Sequence, residues 1–494
     1  MGSDRADIVK ASGKDRPRGS RADRVARGKI AREAAPLLTH AEFAPAASRD
    51  PIGLILGQAA DRVPELVPIR HGRMLASPFA FFRGASLPMA ADLAATPRSG
   101  LIVQLCGDAH LANFGAFASP ERRLVFDIND FDETMPGPFE WDVKRLAASL
   151  SVAGRQSGFD PVACRQIVRA MAERYRTAMR EFAEQRQLDI WYAHLDVDQA
   201  IADLRSQLTS RQFKTMESLA AAARTHTSMH ALSKLTTVVD GRVRITSRPP
   251  TTVPIDEVFS AVEADAIHKL VRTVLTQYAR TLQSDRRHLL EQFSLVQVAR
   301  KVVGVGSVGL RAWVILLDAM DGGDPLFLQA KEAQPSVMAA YLRRAKYRNQ
   351  GERVVTGQHM MQAASDIFLG WTNNLGALGE YRDFYVRQLR DWKFSVPIEQ
   401  MRPNGMTHYG QMCGWTLARA HARSGDRVAL AAYLGRSAKF DDAITDFAEV
   451  YADRNERDYD EFRRAVKDGR VEALADVRTS TLERNSLFSS RLTR

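Results

Sequence analysis

Cysteine is scarce in this chain of 494 residues: there are three, Cys106, Cys164 and Cys413, far apart. That spacing excludes a disulfide framework and a paired-cysteine zinc motif, and it predicts a reducing, cytoplasmic setting. Long apolar runs are also missing. The best candidates, Val302–Val305 and Ala312–Leu317, fall far short of the roughly 20 residues a membrane helix needs, so no membrane span is expected. The opening stretch, Met1–Arg32, is too charged for a secretory signal. The eleven histidines are scattered and form no paired metal motif, and no internal repeat is visible.

Positive charge is in excess, with 69 Lys and Arg against 58 Asp and Glu. Much of the excess sits at the start, where Met1–Pro36 holds ten basic and five acidic residues. Such a head reads as a basic flexible arm over residues 1–45. The remainder suits a nucleotide site as well as a polyanion surface, and nucleic acid is not the expected partner.

Along the chain, Pro51–Val67 has apolar residues near helical spacing. Leu101–Cys106 is a short apolar run ending in Gly107-Asp108, a buried strand that delivers a loop. Leu124–Asp130 alternates in the manner of a strand. From Trp141 to about Gln292 the pattern is mainly helical, interrupted by a hairpin at 235–246 that turns at Asp240-Gly241. Val296–Ala333 changes to strands and turns, and a helix is expected from Gln334-Pro335 to about Trp371. Tyr381–Leu389 adds strand, and His408–Arg423 and Asp441–Val466 read as amphipathic helices.

The chemistry concentrates in Cys106-Gly107-Asp108-Ala109-His110-Leu111-Ala112-Asn113. Asp108 and Asn113 stand five apart, the Asp-x-x-x-x-Asn spacing of a kinase catalytic loop. One loop then serves two jobs: a carboxylate meets the attacking hydroxyl, and a carboxamide binds magnesium. A second metal carboxylate must arrive from a following strand, and Asp127, Asp130 and Asp132 all compete for that place. A hairpin over 113–130, with its tip at Ser119-Pro120-Glu121, lets Asp108, Asn113 and Asp130 converge. His110 reads as a loop brace, and Cys106 as a small buried residue.

Gly107-Asp108-x-His110-x-x-Asn113, then Asp130-Phe131-Asp132 and Gly137-Pro138-x-x-x-Asp142, resembles the aminoglycoside phosphotransferase and choline kinase branch of the protein-kinase-like superfamily. The resemblance implies that Asp108 is the catalytic base, that Asn113 and Asp130 hold magnesium with Asp127 in reserve, and that Asp142 is a structural anchor. From Phe81-Phe82-Arg83-Gly84 to Lys331–Ser336 the chain also resembles a bacterial family designated domain-of-unknown-function family 2252. That resemblance implies no substrate.

Gly304-Val305-Gly306-Ser307-Val308-Gly309 is a Gly-x-Gly-x-x-Gly run. The segment after it has strand rather than helix character, so it reads as the phosphate cover of a kinase instead of a dinucleotide turn. Glycines allow the backbone to lie over phosphates and present N–H groups. Gly304, Gly306, Ser307 and Gly309 are the candidate contacts, and Lys331 at the end of an apolar strand is the candidate phosphate lysine. An ammonium there needs a carboxylate. Glu352 on the next helix is the first expectation and Glu332 the second.

The glycine run and lysine follow the catalytic loop by about two hundred residues, whereas kinases have the reverse order. The expectation is therefore an α+β, two-lobed, protein-kinase-like fold in circular permutation, with a small β-containing lobe and a large, mainly helical one. Its divisions are the arm 1–45, a helical lobe with the catalytic loops and a helical insertion at 46–293, a nucleotide lobe at 294–395, completing helices at 396–480 and a tail at 481–494. The expected activity is ATP- and magnesium-dependent phosphoryl transfer to an unidentified small-molecule or protein acceptor, with the insertion 158–292 as acceptor region. The competing readings are a metal-dependent phosphoesterase and a non-catalytic nucleotide-binding regulator.

Overall fold

A computed structural model describes residues 19–474 except 204, 206–209, 226, 241, 259–260, 303, 344–345, 376–380, 390–391 and 393–395. Gly241 of the expected turn, Val303 and the tail 481–494 thus lie outside the described residues. The architecture is mixed α+β, with long helices and several antiparallel sheets.

Four helices, Phe139–Gln156, Pro161–Glu184, Pro403–Ser424 and Lys439–Lys467, form the helical body. The second starts where its pattern demands: Asp160 caps the Ala163 N–H and Pro161 occupies the first turn. Trp141, Tyr175, Leu417 and Phe447 are wholly buried between these helices. Burying such side chains is worth roughly 1.5–3 kcal/mol each, which holds the frame on which the loops are hung. No described helix is long and apolar enough to cross a membrane.

The largest sheet is six-stranded. Its antiparallel order is Gly370–Leu375, Tyr381–Gln388, Pro325–Ala333, Ala312–Ala319, Phe293–Lys301 and Thr252–Pro254. The glycine run joins Phe293–Lys301 to Ala312–Ala319, and Lys331 closes the next strand. Alternation sorts the two faces. Leu328, Ala330 and Val386 pack under Tyr278 and Leu282, beside helix Ala261–Ala279. On the other face Lys331 stands opposite Tyr385, and Gln329 opposite Arg387.

Three expectations change. The helix after Gln334-Pro335 covers only Gln350–Met361, and Trp371 belongs to an edge strand. Pro51–Val67 is helical only over Pro51–Gly57 before passing into short 3-10 turns, the second of which opens on Pro64 after the extended residues Arg62 and Val63. The basic arm is ordered from Arg21, with residues 1–18 outside the described set. Helix Arg21–Ala34 starts on a Ser20/Asp23 capping box and lies on helix Arg427–Leu434, where Arg24 reaches Asp426 at 2.8 Å.

Candidate functional site

The acidic loop is hung from the helical body by Asp142. Its oxygens accept the Cys106 and Gly107 N–H groups at 2.8 and 3.0 Å, and the His421 Nε2 lies 3.2 Å away. Asp142 is wholly buried, so these N–H groups take the place of water. Gly107 has φ +89°, and a Cβ there would stand 2.2 Å from the Glu133 carbonyl oxygen. Only glycine fits. Ser149, on the same helix as Asp142, accepts the Leu111 N–H at 3.1 Å.

Asp108 follows. Arg145 donates from Nε at 2.8 Å, and the His110 Nε2 is 3.6 Å from its other oxygen. Burial pushes the Asp108 carboxyl up, against the opposing pull of Arg145. The Asn113 amide nitrogen donates to the Asp108 carbonyl at 2.6 Å, which leaves its oxygen as the atom able to meet a cation. The Asn129 N–H donates to the Asn113 carbonyl at 2.7 Å. This bond, with hairpin strands Phe114–Ala118 and Leu124–Ile128, brings Asp130 beside Asn113. The Asp130 Oδ1 has no hydrogen-bond donor among the described residues.

Lys331 enters from the sheet. Its Nζ lies 2.7 Å from Asp132 Oδ2 and 3.7 Å from Asp130 Oδ1. Asp132 also accepts from the Tyr385 hydroxyl at 2.6 Å and the Ser307 hydroxyl at 3.2 Å. Burial opposes both charges, yet their neighbours win: Asp130 and Asp132 hold the Lys331 ammonium well above its ordinary range, and Lys331 with the Tyr385 hydroxyl holds the Asp132 carboxyl below its own. The glycine run lies over this pair. Gly304 and Gly309 take φ +69° and +91°, and the loop is tied down by Val63 N–H to Gly309 oxygen at 2.8 Å. A Cβ on Gly306 would meet only Arg83 oxygen, at 3.5 Å.

Three candidates are placed elsewhere. Glu352 is not the partner of Lys331. Its N–H is capped by Asn349, and the side chain that its helix sends toward the acidic loop is Arg353. Arg353 donates to the carbonyls of Asp132, Thr134 and Gln334 at 2.6–2.8 Å. Adjacent Glu332 projects to the opposite side of its strand from Lys331 and pairs with Arg311 and Arg382 at 3.3 and 2.7 Å. Asp127, the reserve ligand, is sealed away at 2% exposure: both its oxygens accept from Arg419, at 2.6 and 2.8 Å.

Sequence reasoning missed Arg145, Arg353, Tyr385 and Arg387. A signal for the first existed: Asp142, Arg145 and Ser149 mark one face of their helix, at spacings of three and four. Two cavities meet at Asp130, Gly304 and Ser307. One, about 550 Å³, runs along the sheet past Lys331, Gln329 and Arg387 to Leu389. The other, about 900 Å³, holds Asp108 and Asn113 and is walled by residues between Gln58 and Leu87. The insertion 158–292 contributes no described residue to that second cavity.

No curated protein and no solved structure matches the chain. A family profile described as an uncharacterized protein conserved in bacteria does match, over residues 62–465, a span that takes in the acidic loop, the glycine run and Lys331. The chain therefore belongs to domain-of-unknown-function family 2252.

Proposed function

We propose that the chain is an ATP- and magnesium-dependent phosphotransferase of kinase-like, circularly permuted, two-lobed design, acting on a hydroxyl-bearing acceptor. The observation that carries this reading is Lys331, which lies near the end of the second strand after the glycine run and meets Asp132 and Asp130 at 2.7 and 3.7 Å. Strand, glycine loop, strand, lysine strand and helix follow in the order a kinase phosphate site uses. Permutation is compatible with such a site, because catalysis depends on positions in space and not on chain order.

The smaller cavity suits the nucleotide, with Lys331 and Arg387 facing its phosphates. Asn113 and Asp130 would hold magnesium: an unsatisfied carboxylate oxygen and a free carboxamide oxygen on one wall suit a hard cation. Bound there, the ion would neutralise phosphate charge. Asp108 is fixed by Arg145 and faces the larger cavity, where the acceptor hydroxyl would lie. It takes the hydroxyl proton as the acceptor oxygen bonds to the γ-phosphorus and the bond to the leaving ADP oxygen breaks. Its raised pKa makes it a better proton acceptor than an exposed aspartate.

Titration calorimetry with ATP and magnesium tests the reading. Saturable, metal-dependent binding is expected, and no binding with either magnesium or manganese would end it. One observation favours a second reading, a nucleotide-binding regulator. Lys331 lacks the helix carboxylate of active kinases and rests on Asp132 instead. Binding without transfer or hydrolysis, across a panel of alcohols, would favour that reading.

A further inference from the structure

Arginines whose side chains are largely buried outside the larger cavity, or at its edge, either spend their donors on carbonyls, as Arg353 does, or meet carboxylates. Arg49, Arg145, Arg176 and Arg419 each lie 2.6–2.8 Å from one. Three arginines lining the cavity do not. Arg70, 1% exposed, donates to the Gly84 carbonyl and the Gln58 side chain, while its Nε and one terminal nitrogen have no partner among the described residues. Arg62, 8% exposed, donates to the Val308 carbonyl, and its Nε is likewise unpartnered. The buried Nε of Arg83, in the last turn of helix Pro78–Gly84, is the third.

We propose that these three guanidinium groups receive an oxyanion, so that the acceptor is a small hydroxyl-bearing compound carrying a phosphate or carboxylate. The proposal rests on the phosphotransferase reading of the neighbouring loop. A buried cation that closes no ion pair is costly, and the structure brings three together beside one cavity. Burial first, and then the charge of Arg62, push the Arg70 guanidinium well down from its ordinary range. Of the acidic groups on the same wall, Asp132 pairs with Lys331 and Glu332 with Arg311 and Arg382. Glu133 lies in the field of Arg62, and Asp108 in that of Arg83, without closing an ion pair to either among the described residues. The planar fork of arginine matches tetrahedral phosphate and planar carboxylate alike. Asp108 and Asn113 line the same cavity, so an acceptor anchored at its charged end would have its hydroxyl available to Asp108.

The test is calorimetry on the full chain, loaded with magnesium and a non-hydrolysable ATP analogue. Inorganic phosphate, glycerol 3-phosphate, D-glycerate and glycerol are titrated in turn. The three anions should bind and glycerol should not. Arg83→Gln should weaken phosphate binding about tenfold to a hundredfold, the loss expected for a charged hydrogen-bond donor. Arg70→Lys keeps the charge but not the fork, and should also weaken it, with circular dichroism unchanged. Phosphate binding no better than glycerol, or indifferent to Arg83→Gln in a folded variant, would overturn the proposal. So would competition between phosphate and the analogue, which would assign the arginines to the nucleotide's own phosphates. If the analogue itself fails to bind while phosphate still binds in an Arg83-dependent way, the phosphotransferase reading falls and the anion site stands.

Discussion

Lys331 and Asp132 are separated by 199 residues in sequence and by 2.7 Å in space. The pair bridges the six-stranded sheet and the acidic loop of the helical body, with the Tyr385 hydroxyl on the second Asp132 oxygen at 2.6 Å. Removing the cation alone strands a largely buried carboxylate. Lys331→Met should cost about 3 kcal/mol of stability. Lys331→Met with Asp132→Asn should cost less than the two single losses added together, because neither charge is then left alone. Denaturant unfolding of the cycle measures this. Simple additivity would mean the contact contributes nothing.

Asp108 and Asp130 should fail differently. Asp108→Asn removes the proposed proton acceptor and should lower phosphoryl transfer by orders of magnitude while leaving nucleotide affinity in place. Asp130→Asn removes the oxygen that meets no donor, and should instead weaken binding only when magnesium is present. Calorimetry with and without metal, beside a turnover assay, separates the two. Equal loss of folded structure in both would mean that the two carboxylates are structural.

Asp127 offers a control for the same chemistry. Its two oxygens belong to Arg419, deep in the helical body. Asp127→Ala should cost about 3–5 kcal/mol, the range for breaking a buried pair from one side. In whatever fraction still folds, magnesium-dependent nucleotide binding should be unchanged. A specific loss of metal dependence, with stability intact, would return Asp127 to the ligand set.

Much of the acidic site was legible because its spacing is local. Asp108, Asn113 and Asp130 lie on one loop and one hairpin, and the resemblance to the aminoglycoside phosphotransferase branch implied Asp142 as the anchor. Lys331 was legible from the glycine run before it. Its partner was not. The choice between Glu352, Glu332 and Asp132 depends on how a helix sits on a sheet and which way one strand residue faces, neither of which periodicity encodes. Glu352 falls in the first helical turn with its N–H capped by Asn349, while Arg353, one residue on, turns into the core. The wall of the larger cavity was hidden for a similar reason. Arg70 and Arg83 lie on short helices and Arg62 on the bend after a 3-10 turn, where a charged side chain suits an anion contact, an ion pair or the surface alike until the fold decides.

Glu133 provides a pH signature of the same cleft. It lies next to Asp132, and its carboxylate accepts the Val337 N–H at 2.7 Å. Burial raises its pKa to about 7; the Val337 N–H and Arg353 oppose the rise, and Asp108 and Asp132 add to it. Arg62 also faces it. An unfolded glutamate loses its proton near 4.5. Between those values the folded chain holds a proton that the unfolded chain has lost, so stability must fall as pH rises. The contribution is full below the unfolded value, declines through the window and is gone above about pH 7. Glu133→Gln should abolish that part of the decline, since a carboxamide does not titrate and its oxygen can still accept the Val337 N–H. Urea unfolding of both proteins at pH 5 and pH 8 measures it: wild type should lose more stability than the variant between the two. Equal losses would show that Glu133 is already ionised in the folded chain at pH 5, which would mean that Arg62 and Arg353 outweigh its burial.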